Sequence, residues 1–188
     1  LKEAERLEHM VENILISGRL RGGAYRVHNE PVALRPFLEG FVEHRRRYVV
    51  DRPDAFGLVW EPQTEDVAVH CDPQALRIVL ENLTDNAFKY GGSKTEPPQA
   101  TLRVRREPGR VQLSVEDDGM GFDPDRAEDL FVPFTRMIAG PAASQHGTGL
   151  GLPISRELAR RMGGGIQAHS PGPGKGSRFT VVLREVEA

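Results

Sequence analysis

Between Asp72 and Tyr90 the sequence DPQALRIVLENLTDNAFKY sets two amides, a carboxylate and an ammonium at helical spacing. Wound at about 100° per residue, Asn82, Asn86 and Lys89 fall within about 60° of one another, with Asp85 about 60° from Asn82 on the far side. Val79, Tyr90, Leu83, Leu76, Ala87 and Leu80 share the neighbouring arc, which must face a core. The polar stripe therefore borders the buried side of the helix. It reads either as a solvated surface or as oxygen ligands for a hard cation such as Mg2+ beside an ammonium for phosphate. Asparagine is a poor helix former, so two of them one turn apart want a reason, which the second reading supplies.

Asp117 closes a strand pattern, RVQLSVED, in which Val111, Leu113 and Val115 alternate with Gln112, Ser114 and Glu116. Strict alternation puts Asp117 on the apolar face. A carboxylate there needs a donor to offset its desolvation. One donor is local, the amides of an Asx-type turn through Gly119-Met120-Gly121. The other is the exocyclic amine of a bound base.

A third group is HGTGLGL, residues 146–152, where Gly147, Gly149 and Gly151 lead into a helix whose apolar face is Leu150, Ile154, Leu158 and Met162. Free amides at a helix start bind anions, and glycine lets phosphate oxygens approach the backbone. Packing is the competing reason for such glycines. Neither G-x-x-x-x-G-K-S/T nor G-x-G-x-x-G is present. On the anion reading, replacing Gly149 and Gly151 by Ala weakens phosphate binding and leaves the fold intact.

The elements that must position these groups can be read in order. Residues 1–20 carry an apolar seam, Ala4, Leu7, Val11 and Ile14, of coiled-coil type, ended by Gly18 and Gly22-Gly23. Such a helix is marginal alone and needs a partner. A short strand (30–35), a helix (36–50), two strands (57–60 and 67–70) and the helix from 72 to 90 follow, the last with Asp72 as N-cap and Pro73 at its first position. Strands at 100–107 and 110–117 form a hairpin through Pro108-Gly109. Residues 122–147 have no sustained period and read as a long loop. A helix near 149–162 and strands at 165–170 and 177–183 complete the chain. The expected fold is α+β, a two-layer α/β sandwich with a mixed, mostly antiparallel sheet packed on about three helices, preceded by an N-terminal helix fragment.

Composition narrows the partners. In 188 residues, 25 basic side chains face 27 acidic ones, a net charge of −2, so nothing favours nucleic acid or an anionic membrane. His44-Arg45-Arg46-Arg47 is the one basic cluster and reads as a solvated helix face. Cys71, the single cysteine, precludes an intrachain disulfide and reads as an inert, half-buried thiol. No apolar run reaches the roughly 18 to 20 residues of a membrane span.

Taken in order, ENLTDNAFKYG, EDDGMGF, LFVPFTR and HGTGLGLPISRELARRMGG closely resemble the N, G1, F and G2 boxes of the catalytic ATP-binding domain of sensor histidine kinases, the Bergerat fold shared with gyrase-type ATPases. The likeness spans about residues 28–185, and residues 5–23 resemble the end of the second helix of the dimerisation and phosphoacceptor domain. The resemblance implies two parts: residues 1–22 as the end of that helix with a linker, and 23–188 as the ATP-binding domain with a lid at about 123–147.

It also implies roles. Asn86 coordinates the Mg2+ that bridges the ATP phosphates, with Asn82 beside it. Lys89 contacts phosphate and Tyr90 flanks the base or ribose. Asp117 reads the adenine amino group above the turn shaped by Gly119 and Gly121. Phe131 and Phe134 anchor the lid, and Arg136 reaches the γ-phosphate. Gly147, Thr148, Gly149, Leu150 and Gly151 line the phosphates and the back of the adenine pocket. His146 is a lid residue.

In gyrase-like relatives the position of Asn82 holds a Glu that activates water; an amide cannot do this. Glu81 is about 100° away around the helix and is a poor substitute. The implied function is therefore phosphoryl supply to a histidine, then to an aspartate of a response-regulator receiver domain. None of His9, His28, His44, His70, His146 or His169 lies in an H-E-x-x-x-P context, so the acceptor is expected on upstream dimerisation helices, within a homodimeric parent. The chain alone is expected to bind ATP and Mg2+ without phosphorylating itself. Its implied location is cytoplasmic, whether or not the parent is anchored in an inner membrane, with no nucleic-acid or membrane contact of its own. The alternatives are a non-catalytic nucleotide-sensing or scaffold module and a water-hydrolysing ATPase of the same fold.

Overall fold

The structure, a computed structural model, describes residues 2–48, 55–64, 66–91, 99–135 and 148–186. Among the described residues four α-helices, α1 (Lys2–Arg21), α2 (Leu34–Tyr48), α3 (Pro73–Tyr90) and α4 (Gly151–Arg161), accompany seven strands: β1 (Glu30–Ala33), β2 (Phe56–Trp60), β3 (Ala68–Cys71), β4 (Ala100–Glu107), β5 (Arg110–Asp117), β6 (Gly165–His169) and β7 (Ser177–Arg184).

Five strands form one sheet in the order β2-β4-β5-β7-β6, antiparallel except for the parallel β2–β4 pair. Alternation explains which face is covered: Leu102, Val104, Val111, Leu113, Val115, Phe179, Val181 and Leu183 are buried beneath the helices. Helix α3 packs on β4 and β5, α4 on β6 and β7, and α2 on β2. This is the α+β, two-layer arrangement expected from the sequence. Strands β2 and β3, adjacent in sequence, do not pair. Strand β3 joins β1 in a separate antiparallel ribbon, which reaches the main sheet through the Val69–Glu185 bridge.

Helix α3 is the centre of the molecule. Asp72 caps it, its Oδ1 accepting from the amides of Gln74 and Ala75 at 2.9 and 3.1 Å, with Pro73 in the first turn. Its buried set, Ala75, Leu76, Val79, Leu80, Asn82, Leu83, Thr84 and Ala87, covers a wider arc than the apolar stripe alone. The sheet accounts for part of that arc and the neighbouring helices for the rest. Thr84 is buried because its hydroxyl bonds back to the carbonyls of Leu80 and Glu81. Phe56 meets Phe41 of α2 and Phe88 of α3 edge-on, with ring centroids 6.4 and 5.8 Å apart.

Four expectations change. Helix α1 runs through Gly18, and its stripe on the domain is Asn13, Ile16, Ser17 and Leu20, packed toward α4. Val11 and Ile14 of the expected seam are exposed, as is Leu15, while Ala4 and Leu7 have side chains outside the described residues. The basic cluster is not uniformly solvated: Arg45 is buried against Asp85, and Arg46 Nε donates to the Phe56 carbonyl at 2.8 Å. Cys71 is fully buried rather than half-buried, and burial pushes its thiol up to about 12. Finally, residues Pro124–Phe131, expected to be irregular, form a 3-10 helix capped by Asp123. Short 3-10 segments lack the period that betrays an α-helix.

Candidate nucleotide site

The three sequence groups converge because α3 touches both of the others. At its middle, the Asn82 side chain, only 4% exposed, donates to the Gly151 carbonyl and to Ser155 Oγ, both at 3.3 Å, and so fastens α3 to the start of α4. At its end, the Tyr90 carbonyl accepts from the Met120 amide at 3.0 Å and so fastens α3 to the turn after β5. Asn86, Lys89 and Tyr90 lie on the last turns of α3, between these two attachments.

Asp117 makes the local turn and finds a second donor on the neighbouring strand. Its Oδ1 accepts from the Gly119 amide at 2.9 Å, the Asx-type turn, and its Oδ2 accepts from Ser177 Oγ of β7. Burial pushes its carboxyl above the usual carboxylate range; the Ser177 and Gly119 hydrogen bonds oppose that shift, and the neighbouring Asp118 adds to it. Each carboxylate oxygen has a second lone pair, so these bonds leave acceptor capacity for an exocyclic amine.

The glycines after β5 admit protein rather than only ligand. A Cβ on Gly119 would lie 2.1 Å from the Tyr90 carbonyl oxygen, and one on Gly121 would lie 2.4 Å from that of Gly172. Gly121 also has φ +55°, a backbone that side chains rarely adopt. These residues hold the turn against α3 and against the β6–β7 connection.

The opening of α4 is similar in part. Gly149 has φ +68°, and a Cβ there would lie 3.0 Å from Phe134 Cα; on Gly151 it would lie 3.0 Å from Asn82 Oδ1. Replacing Gly149 by Ala is therefore strained, contrary to the expectation from sequence, and at Gly151 the Asn82 amide would have to give by a few tenths of an ångström. Helix α4 has no side-chain cap: its N-cap is Leu150, whose own amide bonds Thr148 Oγ1 at 3.3 Å. An uncapped first turn leaves backbone donors for an anion.

The segment before α4 is pinned at both ends of its described part. Arg156 of α4 stacks over the buried Phe131 ring, 3.5 Å from its centroid, and forks onto Glu128 at 2.8 and 3.1 Å. The Phe134 amide donates to the Gly149 carbonyl at 3.1 Å; Phe134 itself is 65% exposed with φ +64°. Arg136, His146 and Gly147 lie outside the described residues.

The donor set can be tested against ATP and Mg2+. Among the described residues no group of three or more His, Cys, Asp or Glu side chains could hold a metal ion. Mg2+ keeps water and ligand phosphate oxygens and takes few protein ligands, so the donors to test are the polar side chains of α3. Asn86, half-buried near the end of α3, offers one amide oxygen. Lys89 Nζ, 4.8 Å from the Tyr90 ring centroid, adds a cation on the same turns. The residues fit the group. Sequence reasoning missed Ser177, whose hydroxyl has no periodic signal, and Ser155, which looks like an ordinary helix residue.

This fold is shared with known proteins. Residues 71–187 match the family described as histidine kinase-, DNA gyrase B-, and HSP90-like ATPase, and the chain belongs to that family. It is 30% identical over 190 residues to the sensor protein GacS of Pseudomonas syringae pv. syringae, covering 97% of this chain and 20% of that protein. It is 34% identical over 157 residues to the sensor protein TorS of Escherichia coli K12, covering 84% and 16% respectively. The chain thus spans a fifth or less of the length of these two relatives. Among solved structures, the mycobacterial sensor histidine kinase MprB superposes with a TM-score of 0.66 at 25% identity, over 86% of this chain and 100% of that one. Full-length ShkA in complex with AMPPNP has the same fold, with a TM-score of 0.75 at 24% identity, over 100% of this chain and 38% of that one. Among the described residues no helix is long and apolar enough to cross a membrane.

Proposed function

We propose that this chain is the ATP-binding part of a sensor histidine kinase that supplies the γ-phosphoryl group for a histidine outside this sequence. Asn86 holds Mg2+, Lys89 and the first-turn amides of α4 hold phosphates, Tyr90 flanks the nucleoside, and Asp117 accepts from the adenine amine. Gly147, Thr148, Leu150 and the two neighbouring glycines form the phosphate wall, and Arg136 lies on the lid of about residues 123–147. Bound Mg2+ neutralises phosphate charge; positioning and charge compensation supply the remaining catalysis. In the transfer, the bond from the γ-phosphorus to the ADP oxygen breaks as a bond to the imidazole nitrogen forms. The phosphoryl group then passes to a receiver-domain aspartate in a cytoplasmic, homodimeric two-component system.

The observation that carries this reading is Asn82. Its amide is buried and committed as a donor to Gly151 and Ser155. A group that cannot take a proton at the place where gyrase-like ATPases keep their base favours transfer over hydrolysis. A neutral imidazole is already nucleophilic and needs no such base.

The test joins the chain to its upstream dimerisation helices and supplies ATP labelled at the γ-phosphate. Acid-labile, base-stable label on the histidine helix is the expected result. Tight ATP binding without label identifies a nucleotide-sensing module instead, and steady phosphate release without acceptor identifies a hydrolase.

A further inference from the structure

Arg45, in the last turn of α2, pairs with the Asp85 carboxylate of α3. Its side chain keeps 8% of its exposure against 37% for Asp85, and its Nε is buried without a hydrogen-bond partner. An incompletely satisfied buried guanidinium is a poor device for stability, because an apolar side chain of similar volume usually serves as well or better. The position of its partner Asp85 on α3 suggests another use.

Asp85 precedes Lys89 by one turn, in the acid-before-base order that favours an ion pair along a helix. That pair is not formed. Asp85 is held by Arg45, and the Lys89 ammonium lies over the Tyr90 ring instead. Asp85 lies about 40° around the helix from Lys89, one turn away, so a carboxylate that Arg45 did not hold would stand close to any phosphate gathered by Lys89.

We propose that Arg45 is a positioning residue for nucleotide binding: by holding Asp85 it keeps that carboxylate from capturing Lys89 and from repelling the triphosphate. The proposal rests on the reading of Lys89 as a phosphate contact. Arg45 acts from a neighbouring helix and touches no ligand. Its effect is confined to the charged part of the nucleotide and should be absent for adenosine, which carries none.

The affinities of Mg·ATP and of adenosine are measured on the whole chain at low ionic strength, by competition against a fluorescent nucleotide. Lys89→Met comes first: it should weaken Mg·ATP and spare adenosine. If it does not, the reading of Lys89 fails whatever Arg45 does. With that established, Arg45→Met should lower the ratio of ATP to adenosine affinity by about two- to fivefold, the range set by one i,i+4 attraction to the ammonium and one repulsion of similar size. Asp85→Asn added to Arg45→Met should restore the ratio, and Asp85→Asn alone should leave it unchanged. If Arg45→Met lacks a cooperative melt, Arg45→Gln, which offers Asp85 a hydrogen bond without the charge, is read in the same way. A purely structural pair would lower both affinities together or neither. An unchanged ratio, or a loss that Asp85→Asn does not rescue, overturns the proposal.

Discussion

The Asn82 side chain of α3 donates to the Gly151 carbonyl and to Ser155 Oγ of α4, both at 3.3 Å, so the helix bearing Asn86 and the helix led by glycines are joined by one buried amide. Asn82→Ala removes both bonds and should cost about 1 to 3 kcal/mol in urea unfolding. Asn82→Glu places a carboxylate against the Gly151 carbonyl, where it cannot donate. It should destabilise more than Asn82→Ala and should not create a hydrolase. Phosphate release by Asn82→Glu at a rate above the parent chain would show that the missing base alone separates the two chemistries.

Gly149→Ala should destabilise the chain by about 1 to 2 kcal/mol, because φ +68° is costly for a side chain and Phe134 Cα lies 3.0 Å from the new carbon. Thermal melts without nucleotide measure this directly. A melt identical to the parent would mean that the loop rearranges at no cost, returning Gly149 to a purely ligand-facing role.

Asp117→Asn separates recognition from folding. The carboxyl is raised above its unfolded value, so over the interval between the two the folded chain binds more protons, and stability from this group falls as pH rises. Asn removes that slope while its carbonyl oxygen can still accept from Gly119. The melting temperature of the variant should therefore gain on the parent as pH rises through and above the ordinary aspartate value of about 3.9. Adenine-nucleotide affinity should fall at the same time, since the amide can present its NH2 to another donor. A pH-independent difference in melting temperature contradicts the assigned cause.

Arg161 ties the N-terminal helix to the domain: its Nη1 and Nη2 donate to the Tyr25 and Leu20 carbonyls at 2.5 and 3.0 Å, and its Nε to Glu157 at 2.7 Å. Charge-assisted bonds of this kind contribute about 1.5 to 3 kcal/mol each. Arg161→Met should release residues 11–25 to amide exchange by one to two orders of magnitude while β5 and β7 stay protected. Loss of protection across the whole sheet would show instead that the helix and the domain unfold as one unit.

The elements with a single dominant environment were legible in the residues. Helix α3 carried its own cap, proline and apolar period. The β4–β5 hairpin carried strict alternation around Pro108-Gly109, and the four boxes in order identified the ATP-binding fold. These signals are local, so the sequence by itself determined which elements form and which residue types they carry toward a nucleotide. What each polar group does was decided by partners distant in the chain. Asn82 became a buried bracket because Gly151 and Ser155, 69 and 73 residues away, arrive beside it. Asp117 gained Ser177 across the β5–β7 register, Arg45 left the solvent to meet Asp85, and the glycines at 119 and 121 found backbone at distances no Cβ could share. Burial and hydrogen-bond geometry are properties of the packed chain, and no helical or strand period carries them.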